Sequence, residues 1–315
     1  MALAWVVLPS RYMLFAKALH CVMTLNEWKE KGSFLEVGKH RLFTVTNFKL
    51  GGPVLAFLHG YPSASYDYYK ILPAVEQAGF SHVLHDHPGF GMSGKPQDYS
   101  YSFIEQAEIA IELWKKLGLK EVHIISHDYG TTVANEILAR KLQGYEPVTI
   151  KSVTFCNGSM HVELAHLKLI QKLLKHPFWG KLVVRLMNNA TFVRTMRDIW
   201  FDKSKFDLKE MENIWNMLMT DMTPDVLHKI SQYNNERVKY WHRWIPALAK
   251  LDFPVHILWA QQDPIAVKAI AELLHKEIPD STYTKIDNCG HYPMLEKSEE
   301  WSEKLLGFIK QTNEI

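Results

Sequence analysis

The chain has 315 residues, 47% of them hydrophobic and 22% charged, which suits one large core with an insertion and argues against disorder. Thirty-six Lys and Arg against 34 Asp and Glu leave a net charge of +2, so composition gives no electrostatic case for a nucleic-acid partner. Three cysteines (Cys21, Cys156 and Cys289) with no Cys-x-x-Cys pair argue against a disulfide framework and a structural zinc site, and the sixteen histidines lack ligand-like spacing.

Residues 1–30 form an N-terminal segment, mostly apolar but interrupted by Pro9, Arg11, Lys17 and His20. That is too broken for a standard membrane span, which needs about 18 uninterrupted apolar residues, and no clean signal-peptide cleavage site follows. Two readings stand: an interfacial membrane anchor with Trp5 and Phe15 beside cations, or a helix packed on the core. Residues 34–48 read as a hairpin. Residues 54–58 read as a short apolar strand ending at His59-Gly60-Tyr61-Pro62, and 82–85 as another ending at Asp86-His87-Pro88-Gly89-Phe90-Gly91. Helical periodicity covers 103–117 and stops at Gly118. A third buried strand, 122–125, runs into Ser126-His127-Asp128-Tyr129-Gly130 and a helix to about 142, and 150–155 is the next strand.

From 158 to 246 the pattern is helical, with no strand-like run; strands return at 255–260 and 282–286, before a last helix over 298–311. Strands alternating with helices predict an α/β fold, a mostly parallel twisted sheet with helices on both faces. The helical block is expected to be an inserted lid over the carboxyl ends of the strands, where such sheets place their sites. The expected division is 31–157 and 247–315 as two parts of one core, with 158–246 as the lid.

Ser126-His127-Asp128-Tyr129-Gly130 has the form small-x-nucleophile-x-small between a strand and a helix, the pattern of a nucleophile elbow. A carboxylate there sits at a helix N-terminus, where the dipole and free N–H groups favour the anion. The competing reading is an ordinary N-cap aspartate. The loop at His59-Gly60-Tyr61-Pro62 would supply one oxyanion-hole N–H, from Tyr61, and the residue after the nucleophile, Tyr129, the other. Asp263, in Gln261-Gln262-Asp263-Pro264, follows a strand; His291, in Asn288-Cys289-Gly290-His291-Tyr292-Pro293, precedes the last helix. The order nucleophile, acid, histidine and the strand-end positions make Asp128, Asp263 and His291 the expected catalytic triad. Cys289 lies two residues before His291 and invites a thiol reading, which the local histidine pattern makes unnecessary.

These motifs resemble the α/β-hydrolase superfamily, in the branch of epoxide hydrolases and haloalkane dehalogenases. The likeness runs over residues 59–291. Besides the triad motifs it includes Asp86 to Gly91 with Ser93, Gln232-Tyr233, and Arg243-Trp244-Ile245-Pro246-Ala247-Leu248. The resemblance implies a two-step hydrolysis without metal or organic cofactor. Asp128 would attack an electrophilic carbon to form an alkyl-enzyme ester, and His291, oriented by Asp263, would activate the water that breaks it. It further implies a small lipophilic substrate and association with the endoplasmic reticulum membrane, or a cytoplasmic location without an anchor. Dehalogenases of the branch hold halide with a Trp after the nucleophile, often helped by an Asn after His-Gly; Tyr129 and Tyr61 stand there, which counts against that alternative. Epoxide hydrolases protonate the opening oxygen with lid tyrosines, and Tyr233 and Tyr240 are the tyrosines between 158 and 246, Tyr233 the better match. An earlier lid tyrosine has no counterpart, which keeps a non-catalytic binding or regulatory role as a second reading. Ester hydrolysis is a minor one, since an Asp nucleophile would give an anhydride.

Overall fold

The computed structural model describes residues 22–49, 52–176 and 178–313. The anchor-or-core question falls on a segment whose first 21 residues lie outside those described. Its end forms α1 (Leu25–Lys31), started by a capping box between Thr24 and Glu27.

The expected hairpin is present as β1 (Gly32–Val37) and β2 (His40–Asn47). Then come β3 (Val54–Leu58), α2 (Leu72–Gln77), β4 (Ser81–His85), α3 (Phe103–Lys116), β5 (Glu121–His127), α4 (Tyr129–Lys141) and β6 (Thr149–Cys156). Six helices follow: α5 (Leu169–Leu174), α6 (Trp179–Leu186), α7 (Asn189–Asp198), α8 (Leu208–Met219), α9 (Pro224–Ile230) and α10 (Tyr233–Leu248). The chain closes with β7 (Val255–Ala260), α11 (Lys268–Glu277), β8 (Thr282–Ile286), α12 (Pro293–Glu296) and α13 (Ser298–Asn313).

The strands form one eight-stranded sheet in the order β1-β2-β4-β3-β5-β6-β7-β8. β2 pairs antiparallel with β1 and β4; the strands from β4 to β8 run parallel. Parallel strands covered on both faces have no polar side to present, so they read as unbroken apolar runs. β3 and β7 show this, buried from Leu55 to Leu58 and from Val255 to Ala260. β5 extends past its apolar centre to polar Ser126 and His127, because their backbones still pair with Phe155 and Cys156 of β6.

The Arg-Trp part of the α10 motif ties the helical block to the core. Glu136 of α4, fully buried, accepts from Arg243 Nε at 2.7 Å, Trp244 Nε1 at 2.8 Å and Arg140 Nε at 2.9 Å. Burial raises the Glu136 carboxyl, but these donors outweigh it and hold the group below its ordinary value. No helix among the described residues is long and apolar enough to cross a membrane.

Candidate active site

β5 ends at His127, and the next residue, Asp128, has a φ of 40°, which places a non-glycine residue in the left-handed region. Such a conformation costs about 1–3 kcal/mol and persists where the surroundings enforce it. The enforcing neighbours are close: a Cβ on Gly130 would stand 2.2 Å from the Leu58 carbonyl oxygen, and one on Gly60 2.7 Å from His127 Nδ1. Small residues are therefore required where the turn crosses the end of β3. The Asp128 side chain makes no capping bond to α4, which decides against the N-cap reading. Its Oδ2 instead accepts the Tyr61 N–H at 3.1 Å.

The Tyr61 loop is itself held from below. Asp86, at the end of β4, accepts the Ser65 N–H at 2.8 Å and the Met92 N–H at 2.7 Å. Burial pushes the Tyr61 phenol up to about 12, and its hydroxyl lies 2.9 Å from Ser231 Oγ.

Asp263 and His291 come together as expected, with His291 Nδ1 2.7 Å from Asp263 Oδ2. Asp263 Oδ1 accepts the N–H groups of Ile265 and Ala266, and Oδ2 also accepts from Asn157 Nδ2 at 2.8 Å. Its acceptor sites are thus filled and its orientation is set. Burial alone would lower the His291 imidazole; the charge and hydrogen bond of Asp263, with Asp128 and Asp67 behind, overcome this and hold it above its ordinary value. His127 Nε2 donates to the His291 carbonyl at 2.8 Å, and burial drives His127 down to about 4, so it serves as a neutral strut.

Asp128 and His291 both line a cavity of about 140 Å³, walled otherwise by Tyr61, Pro62 and Ile265 of the core and by residues of α5, α7 and the turn between α6 and α7. Its walls are mainly apolar, among them Leu174, Met187, Phe192, Met196 and Ile199.

The remaining expected residues divide. Tyr233 is buried at the start of α10, its ring 4.9 Å from Tyr61 and 5.8 Å from Tyr129. Its hydroxyl accepts from Gln171 Nε2 at 3.2 Å, and Gln171 lines the cavity. Tyr240 is a correction. It packs on Trp244 and lines an outer cleft with Glu136, Arg140 and Arg243, away from Asp128. Seven residues put Tyr240 nearly in line with Tyr233, but about 10 Å further along the axis. The Tyr129 side chain faces inward, its hydroxyl donating to the Tyr101 carbonyl at 3.4 Å, and it does not line the cavity. The Cys289 thiol is fully buried and pushed up by burial, which removes the thiol reading.

Sequence reasoning missed Arg237. It is buried on α10, 3.5 Å from Asp128 Oδ1, and donates to the Asp128 carbonyl at 3.0 Å and to Thr132 Oγ1 at 2.8 Å. The signal available was its place one turn after Tyr233, on the same helix face.

A strained turn presenting a carboxylate, an N–H from the loop after β3 and an acid-held histidine at later strand ends define the class. The family pattern of the alpha/beta hydrolase fold matches residues 53–298, and the chain belongs to that family of hydrolases. Among its relatives, the mesoderm-specific transcript homolog protein of Bos taurus is 34% identical over 293 residues, covering 90% of this chain and 88% of that protein. The solved structure of the ancestral haloalkane dehalogenase AncHLD2 superposes with a TM-score of 0.75 at 19% identity, over 90% of this chain and 100% of that one. The epoxide hydrolase CorEH gives 0.71 at 18% identity, over 89% and 98%. At those identities the two structures speak to the fold.

Proposed function

We propose that the protein is a hydrolase with an aspartate nucleophile, acting on a small lipophilic epoxide through a covalent alkyl-enzyme ester. The observation that carries this reading is the Asp128 carboxylate itself: it takes the nucleophile's place in the elbow, accepts the Tyr61 N–H and shares one cavity with His291.

In the first step an Asp128 oxygen attacks a ring carbon, the carbon–oxygen bond of the epoxide breaks, and the alkoxide takes a proton from the Tyr233 hydroxyl. Opening a three-membered ring releases its strain, so a carboxylate suffices and no base is needed. In the second step His291 Nε2 removes a proton from water, which adds to the ester carbonyl. The Tyr61 N–H, and with it the Tyr129 N–H, holds the negative charge that develops there. Collapse releases the diol and restores Asp128; the proton on His291 returns to the tyrosinate. The net reaction is epoxide plus water giving diol. The inward-facing Tyr129 leaves no halide ligand after the nucleophile, which sets dehalogenation below this reading.

The test is His291→Gln incubated with a panel of lipophilic epoxides, read by intact mass and peptide mapping. A stable gain of one substrate mass, located on Asp128, is expected, and Asp128→Asn should show none. A variant that demonstrably binds an epoxide turned over by the wild type, yet gains no mass, would overturn the mechanism.

A further inference from the structure

We propose that the outer face of α5 and α6 docks on a lipid bilayer carrying anionic headgroups, and that the cavity receives its substrate from that surface. The inference needs the fold and the cavity, not the chemistry of Asp128.

Thirteen large hydrophobic side chains are exposed among the described residues, and six of them fall between 169 and 186. Leu169 is 73% exposed, Phe178 69%, Leu186 67% and Trp179 50%. α6 is apolar on two sides. Gly180 and Val184 are buried against the molecule, the glycine close to Leu174 and His228, while Trp179, Leu182 and Leu186 project outward at helical spacing. Lys181 and Arg185 of the same helix are exposed beside these side chains, and an exposed apolar patch rimmed by polar residues marks a docking site.

The charge around the patch selects the occupant. Residues 164–197 contain seven Lys and Arg and no Asp or Glu, whereas the other 281 residues hold 29 Lys and Arg against 34 acids. None of the ion pairs among the described residues uses any of these seven cations. Lysine is depleted at protein–protein interface cores. Unpaired cations flanking Leu, Phe and Trp instead match a surface of acyl chains beneath anionic headgroups. Phe178 and Trp179, packed edge to face at the start of α6, are the aromatic type that settles at the headgroup level.

The cavity opens on the same side. Its core-side walls are buried apart from Pro62; the other exposed or partly exposed residues of its lining are Lys168, Ile170 and Gln171 at the α5 end and Met187, Thr191 and Thr195 at the α7 end. A lipophilic molecule dissolved in the bilayer would meet that opening without crossing water.

The experiment is flotation of the full 315-residue protein with phosphatidylcholine vesicles, with and without phosphatidylserine. The variant carries Leu169→Ser, Phe178→Ser, Trp179→Ser and Leu186→Ser together. Wild type should float with the anionic vesicles and be released by salt, and the variant should lose about tenfold in partition. In a Cys21→Ser background, a polarity-sensitive dye on Leu182→Cys should shift to the blue and be quenched by spin-labelled lipid. Unchanged flotation of the variant would overturn the proposal, because binding would then lie elsewhere, as on residues 1–21. So would a dye that stays in water while the protein floats, or a patch whose mutation alters only self-association. Asp128→Asn should float like wild type, so a failed docking surface and a failed nucleophile are read separately.

Discussion

Asp263→Asn should leave the first chemical step nearly intact and disable the second. In the native site Asp263 Oδ1 is held by the N–H groups of Ile265 and Ala266, and Oδ2 receives His291 Nδ1 and Asn157 Nδ2. The two backbone donors will keep an oxygen at the Oδ1 position, so an asparagine must place its NH₂ at the Oδ2 position. That group donates to His291 Nδ1 and meets Asn157 Nδ2 donor to donor. The imidazole proton is then forced onto Nε2, the nitrogen that has to accept from water. General-base help is typically worth about 10²–10⁴-fold, and loss of the orienting acid of a triad costs up to about 10⁴, so ester breakdown should slow by about 10²–10⁴-fold. The lost bond is also a charge-assisted one, of the stronger kind. Asp263 holds His291 above its ordinary value, so the acid limb of ester breakdown should move to lower pH in the variant. The sign carries into stability. A raised imidazole contributes stabilisation that is fully present below its unfolded value, about 6.5, and is lost as pH rises through its folded value. The melting-temperature gap between wild type and variant should therefore be wider at acidic pH than at alkaline pH. Rapid-quench intact-mass measurement across pH, with an epoxide the wild type turns over, separates the two steps. If ester formation slows as much as breakdown and no adduct accumulates, His291 is needed in the first step and the carboxylate-nucleophile argument fails.

Three further substitutions address the helix that covers Asp128. Arg237→Met strips a buried cation from Asp128 and should destabilise the fold by about 3–5 kcal/mol in urea titrations, with slower ester formation. Arg237→Lys restores the charge without the planar fork and should recover only part of both; full recovery would mean that charge alone matters. Tyr233→Phe should slow ester formation by about 10²-fold or more in single-turnover assays, while the lost bond to Gln171 costs about 1 kcal/mol of stability. An unchanged rate would remove the hydroxyl from the acid role.

The sheet was legible because its central strands are short and buried on both faces, leaving apolar runs that end abruptly at Leu58 and Ala260; the edge strand β8, with Thr282 and Lys285 exposed, ends at Ile286. The groups at the Asp128 site sit at or shortly after such ends, so motif order could place Asp128, Asp263 and His291 before any geometry was known. The helical block offered no such punctuation. Tyr233 and Tyr240 share one helix and nearly one face, and sequence could not say which turn of α10 reaches the elbow. Arg237 was hidden for a related reason. Between Glu236 and Val238 it reads as part of a solvated charged face, yet it lies buried between the rings of Phe103 and Tyr233. Its partners, Thr132 and the Asp128 carbonyl, belong to a segment a hundred residues earlier.

The same helix explains why the covering block divides into two parts. α10 is fixed to α4 through Glu136, Arg243 and Trp244; it sets Arg237 beside Asp128 and packs Tyr233 against the rings of Tyr61 and Tyr129. Lifting α10 to admit substrate would part Arg237 from Asp128, break the Glu136 bonds to Arg243 and Trp244, and remove the hydroxyl assigned to the leaving oxygen. α5 to α7 carry no comparable tie: none of the described ion pairs involves their lysines or arginines, and their inner faces are apolar cavity wall. A substrate entering past α5–α7 therefore disturbs packing and the hydrogen bonds that Tyr233, Gln232 and Asn235 make with Gln171, Leu174 and Lys175, but none of the described ion pairs. On the proposed reading, the half of the cover that holds Arg237 beside Asp128 would stay in place while the half that carries the exposed leucines and aromatics makes way.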